Sequence, residues 1–171
     1  MPSPLRLRPP RPDDEAACRA AHDALAAEGF EFLLVFDPDE PWARHVARVE
    51  AHRRGADLPD GFVASTFLLA EVDGQVVGRT SIRHELNEFL LTVGGHIGYA
   101  VLPEHRRRGH ATEILRQSLV LTRALGIDRA LVTCDEGNVA SAAVIERCGG
   151  VLESVVDNPR GGPRRRRYWI D

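Results

Sequence analysis

The sequence predicts a single α/β domain: a mixed, mostly antiparallel central sheet flanked by helices. Three observations predict it. Residues 62–72 and 75–83 are β-rich runs joined by Asp73-Gly74, a strong signal for a tight antiparallel hairpin. Residues 96–134 read strand, helix, strand, and the right-handed crossover this implies sets the two strands parallel at the middle of the sheet. Residues 151–156 and 167–170 flank the turn-rich stretch NPRGGPRRR and pair as a closing hairpin. The chain has 171 residues, is 43% hydrophobic and shows no internal repeat, so one domain with one core covers 1–171.

In chain order, residues 5–8 form a short strand ended by Pro9 and Pro10. Asp13, Asp14 and Glu15 place negative charge on the start of a helix that runs to about Glu28 and stops at Gly29. Residues 30–36 are apolar but too few to classify by period, and read equally as loop or core. Residues 39–54 form a second, amphipathic helix with Trp42, Val46 and Val49 on its apolar side, where Trp42 is expected to be core. The stretch HELNEFLLTVGG, 84–95, reads as a strand extension or as one helical turn before Gly94 and Gly95. A helix from Ala111 carries the stripe Ile114, Leu115, Leu119, Thr122, Leu125 and stops at Gly126. Asn138 caps a last short helix, released by Gly149 and Gly150.

The chemistry concentrates in GHIGYAVLPEHRRRGHATEILR, 95–116, where a strand meets an arginine-rich turn and a helix start. The first helical amides have no partner inside the helix, the macrodipole adds positive charge, and Arg106, Arg107 and Arg108 add full charges. Gly109 lets the backbone approach an anion, and Ala111 is too small to obstruct it. A pyrophosphate fits. The spacing does not match a dinucleotide fingerprint or a G-K-[ST] loop, and the chain contains no lysine.

Arg106-x-x-Gly109-x-Ala111, preceded by Val101-x-Pro103, resembles the acyl-CoA pyrophosphate loop of the GNAT superfamily of N-acetyltransferases. NVASAAVIERCGG is similar to the family's Asn-x-x-Ser…Gly stretch, so the resemblance spans 95–152. It implies a GNAT-like sheet with its parallel pair at the acyl-CoA site, 95–152 as the acyl-CoA-binding core, and the helices of 13–54 on the acceptor side. By that resemblance, backbone groups of Ala100, Val101 and Leu102 meet the pantetheine arm. The amides of Arg108, Gly109, His110, Ala111 and Thr112 hold the pyrophosphate, supplemented by Arg106 and Arg107, and Asn138 and Ser141 contact the pantetheine. The co-substrate is acetyl-CoA as acetyl donor, and the activity is transfer of the acetyl group to a primary amine, small-molecule or peptide, by direct attack in a ternary complex.

The attacking amine must be neutral, a state that a lysine-like amine occupies roughly once in a few thousand molecules at pH 7. His96 is the leading base, on one strand face with Gly98 and Ala100, although a histidine hydrogen-bonded within the sheet explains it equally well. His84 and Glu85, with Glu88, stand in reserve, and His45 is a weaker acceptor-side candidate. The tyrosine that many family members use to protonate the thiolate falls at Ile145, which leaves Tyr99 and Tyr168 as the available phenols. That departure keeps a second reading open, a non-catalytic CoA-binding regulatory or interaction protein.

Composition narrows the partners. Cys18, Cys134 and Cys148 have no metal-ligand spacing and no even count for a disulfide framework, so no metal is expected and a reducing, cytoplasmic setting fits. No apolar leader or membrane-length run occurs. A net charge of -3 argues against nucleic acid, although the run 164–167 makes a basic loop. An exposed terminal strand would allow a homodimer across the sheet edge.

Overall fold

The structure, a computed structural model, describes residues 4–171. One sheet contains β1 (Arg6–Arg8), β2 (Ser65–Val72), β3 (Gln75–Arg83), β4 (Ile97–Val101), β5 (Ala130–Asp135), β6 (Val151–Val156) and β7 (Arg165–Ile170). Its order is β1-β2-β3-β4-β5-β7-β6. Every neighbouring pair is antiparallel except β4 and β5. The predicted fold class is the observed one.

Asp73 and Gly74 make the β2–β3 turn with φ of 50° and 77°. Both values are positive, which is the twist that a two-residue hairpin loop needs. The helix α3 (His110–Ala124) crosses from β4 to β5, and α4 (Val139–Arg147) follows β5. Their apolar stripes pack with Ile82, Ile97, Val132 and Tyr168 on one face of the sheet. The helices α1 (Glu15–Ala26) and α2 (Trp42–Arg53) cover the other face, meeting Phe67, Leu69 and Val76. Trp42 is core, as its position on the apolar side predicts.

Two open readings resolve. Phe32 and Leu33 are fully buried, so residues 30–36 supply core between α1 and α2. In 84–95 the helical-turn reading prevails: Asn87 Oδ1 accepts from Leu90 N–H at 2.9 Å, a wide turn spans Leu90–Gly94, and Gly95 at φ 68° redirects the chain into β4. Among the described residues no helix is long and apolar enough to cross a membrane, and no group of His, Cys, Asp and Glu side chains could hold a metal ion.

Candidate active site

The site begins with a strand that runs out of partners on one side. β3 and β4 pair over five registers, from Gly78↔Val101 to Ile82↔Ile97, whereas β4 and β5 share only Ile97↔Val132. The bonds Arg83 N–H to His96 O (2.7 Å) and Leu102 N–H to Val77 O (2.9 Å) set the alternation. Even-numbered groups of β4 therefore turn to β3, and those of Ile97, Tyr99 and Val101 turn to β5. Beyond Ile97 the main chain of Tyr99 and Val101 opens onto a cleft with no strand opposite. Ala100 and Leu102, expected to share that role, direct their main chains to β3 instead.

At the foot of the cleft, Arg107 (φ 61°) and Gly109 (φ 83°) both take the left-handed conformation and turn the chain into α3. The first bond into the helix is Glu113 N–H to Gly109 O at 3.2 Å, and no side chain caps the end. The amides of His110, Ala111 and Thr112 are thus left without helical partners. A side-chain carbon at Gly109 would meet nothing within 4 Å, but its φ makes any substitution strained. Arg107 and Arg108 are exposed and form no ion pair or hydrogen bond among the described residues. Arg106 is different: Nε donates to Val101 O at 3.1 Å, and Nη1 and Nη2 grip the Glu28 carboxylate at 3.1 and 2.7 Å. It ties the loop to the end of α1.

On the far side of the cleft, Asn138 Oδ1 accepts from Ser141 N–H at 3.1 Å and caps α4. Ser141 Oγ meets the hydroxyl of Tyr99 at 2.9 Å, so a β4 side chain reaches the first turn of α4. Burial pushes the Tyr99 phenol well above its ordinary pKa, which keeps it protonated. Ile145 is fully buried core, and Tyr168 is buried with its hydroxyl donating to Glu146 Oε1 at 3.0 Å.

The histidines separate. His96 is buried; Leu131 N–H donates to its Nδ1 at 2.9 Å while the main-chain N–H of His96 donates to Leu131 O at 2.7 Å. The lone pair a base would use is thereby occupied, and His96 pins β4 to β5 where they separate. His84 pairs through Nε2 with Thr66 Oγ1 at 2.8 Å, its Nδ1 is uncommitted, and burial first, then Arg53, lowers its pKa. Glu85 is exposed beside it. His45 is buried, with neither ring nitrogen hydrogen-bonded.

The basic run 164–167 is spent internally. Arg164 meets Glu136 and Asp157, Arg165 meets Asp135, Arg166 Nε donates to Glu136 O at 2.8 Å, and Arg167 meets Glu153. Arg165 and Arg167 also donate to the carbonyls of Val93 and Leu91. The β6–β7 hairpin thus clamps the 89–94 turn over the sheet, and Arg160 lies 3.8 Å above the Phe89 ring. Arg83 lies outside the sequence-predicted site, although Arg79, Ser81 and Arg83 alternate along β3, which is a readable signal of a polar inner face.

The acetyltransferase (GNAT) domain family model matches residues 4–151. Solved structures share the fold. A putative acetyltransferase, yncA, from Salmonella typhimurium with acetyl-CoA aligns at 15% identity and TM-score 0.67, covering 99% of this chain and 94% of that one. An acetyltransferase from Salmonella typhimurium that modifies the N-terminal serine of a 50S ribosomal subunit protein aligns at 21% identity and TM-score 0.68, with 98% and 95% covered. A spermidine N-acetyltransferase chimera of Vibrio cholerae SpeG and hSSAT aligns at 17% identity and TM-score 0.66, with 98% and 95% covered. No curated protein matches the sequence.

Proposed function

Because the chain belongs to the GNAT acetyltransferase family, we propose that it transfers the acetyl group of acetyl-CoA to a primary amine by direct attack in a ternary complex. The observation that carries this reading is the separation of β4 from β5 directly above an uncapped helix start. A thioester arm needs an extended slot with backbone donors, and its pyrophosphate needs amides and uncommitted cations. Tyr99 and Val101 supply the first; His110, Ala111, Thr112, Arg107 and Arg108 supply the second. Ala100, Leu102, Arg106 and Gly109 shape the slot and the loop, and Asn138 holds Ser141 at its far wall.

In the reaction the amine nitrogen bonds to the carbonyl carbon, the carbon–sulfur bond breaks, one proton leaves nitrogen and one reaches sulfur. His84, kept neutral by burial, takes the first, with Glu85 beside it. The phenol of Tyr99, oriented by Ser141, delivers the second. Tyr99 thus answers the absence of a phenol at position 145, the departure that favours a CoA-binding protein without turnover. The acceptor is a small or peptide amine.

Calorimetric titration with acetyl-CoA, on the wild type and on Gly109→Glu, tests the reading. Binding should disappear in the variant, and thiol release on addition of an amine panel should follow in the wild type. An Arg107→Glu, Arg108→Glu double variant at exposed positions checks that loss of binding reflects charge and not misfolding. Absence of acetyl-CoA binding by the wild type would end the proposal; binding without turnover on any amine would favour the non-catalytic reading.

A further inference from the structure

On the sheet face covered by α1 and α2, strand arginines cluster, and two of them, Arg79 and Arg83, have no carboxylate partner among the described residues. Arg165 pairs with Asp135 and Arg167 with Glu153. Arg79 is buried and donates to the carbonyls of Phe32, Glu31 and Gly98 at 3.1, 2.7 and 3.2 Å. Arg83 reaches only the carbonyls of Gly94 and Gly95, at 3.3 and 3.5 Å, through Nη1. Its Nε and Nη2 donate to nothing among the described residues, and it has no carboxylate partner. Burial and then Arg165 pull its pKa down to about 10, so it remains charged at neutral pH. A half-buried guanidinium without a counter-ion costs the fold some stability. An anion from outside the chain would relieve it.

The place is specific. A side-chain carbon on Gly98 would lie 3.2 and 3.5 Å from Arg83 Nη1 and Nη2. The guanidinium therefore rests against bare β4 backbone, one residue from Tyr99, whose main chain opens onto the cleft. We propose that Arg83 seats a carboxylate of the amine acceptor, which makes the acceptor an amino acid or another small amine bearing an acid group. This rests on the acyl-transfer reading above. Nε and Nη2 form the two-donor edge that fits a carboxylate. The same positive charge disfavours an ammonium nearby, so it lowers the pKa of the bound amine and repels polycationic acceptors.

The test is thiol release by the 171-residue chain at saturating acetyl-CoA, with the standard amino acids, their amides, O-phosphoethanolamine and spermidine. The expected kcat/KM for the best amino acid exceeds that of its amide by about 100-fold or more. Arg83→Gln should bring the two together without changing acetyl-CoA affinity, and Arg83→Lys should restore part of the gap. Arg83→Met should leave the melting temperature at or above that of the wild type, since it removes a half-buried charge that has no carboxylate partner; this also shows that the position tolerates change. Equal rates for acid and amide, survival of the preference in Arg83→Gln, or preference for spermidine would overturn the proposal. Preference for O-phosphoethanolamine over every carboxylate would overturn the acceptor class. If the wild type binds no acetyl-CoA, the transfer reading has failed separately, and calorimetry with an N-acetyl amino acid on wild type and Arg83→Gln still decides the seat.

Discussion

Successive residues of β4 face opposite environments. Tyr99 turns toward α3 and α4, among apolar side chains, and offers a phenol kept neutral by burial. Gly98 turns toward the α1–α2 face and offers nothing of its own, leaving room for the guanidinium of Arg83. In the proposed reaction the two-residue period of a strand gives one face to the leaving sulfur and the other to the incoming amine. A consequence is that variants on the two faces should separate: one set moving the donor-side step, the other moving acceptor choice or the stability of the α1–α2 layer.

Acid should break this symmetry most strongly, on the α1–α2 face. His45 is 1% exposed, and burial, then Arg48, pull its pKa down to about 4. Glu40 Oε1, at 3.8 Å, does not offset them, because its other oxygen is held by Arg48. The unfolded histidine titrates near 6.5, so between these values the unfolded chain binds a proton that the native one refuses. The stability from a neutral His45 is complete above pH of about 6.5 and falls as pH drops toward 4, by about 3 kcal/mol. His96 shifts in the same direction and adds to the loss. Urea unfolding at pH 7 and pH 4 measures the difference, and His45→Phe should flatten most of it. An unchanged pH slope in that variant would move the cause elsewhere.

The donor side is sharpened by Tyr99→Phe. Removing the hydroxyl deletes both the proton and the bond to Ser141. The expected fall in kcat is 10- to 100-fold, about 1.4 to 2.7 kcal/mol of barrier, with acetyl-CoA affinity unchanged. Steady-state kinetics beside calorimetry reads both. A fall in affinity with kcat intact would make Tyr99 a wall of the slot and not an acid.

These regions also differ in how far the sequence discloses them. The hairpin at Asp73-Gly74, the crossover through α3 and the loop around Gly109 are local, and local patterns carry them. The roles of Tyr99, His96 and Arg83 depend on groups that meet only after folding. Ser141 lies 42 residues from Tyr99, and Leu131 lies 35 from His96. That second contact occupies the nitrogen that makes a histidine look like a base. For arginines the decisive fact is what neutralises each, and residue spacing does not contain it. The run 164–167 looks available in sequence and is matched in the fold, while Arg83 looks ordinary and is not.

Arg106 carries the same lesson to the smallest effect. Its place in the pyrophosphate motif suggests a phosphate contact, yet its guanidinium holds Glu28 and its Nε holds Val101 O. The same bond pulls Glu28 below the usual carboxylate range. Arg106→Ala should therefore cost little stability, as expected of an exposed pair. It should weaken acetyl-CoA binding by no more than a few fold, and by less than Arg108→Ala does. Salt distinguishes the cases, because a direct phosphate contact loses affinity steeply with ionic strength and a strut between loop and helix does not. If Arg106→Ala instead lowered affinity tenfold and flattened the salt dependence, Arg106 would have to release Glu28 when acetyl-CoA binds, and the loop would be rebuilt by its ligand.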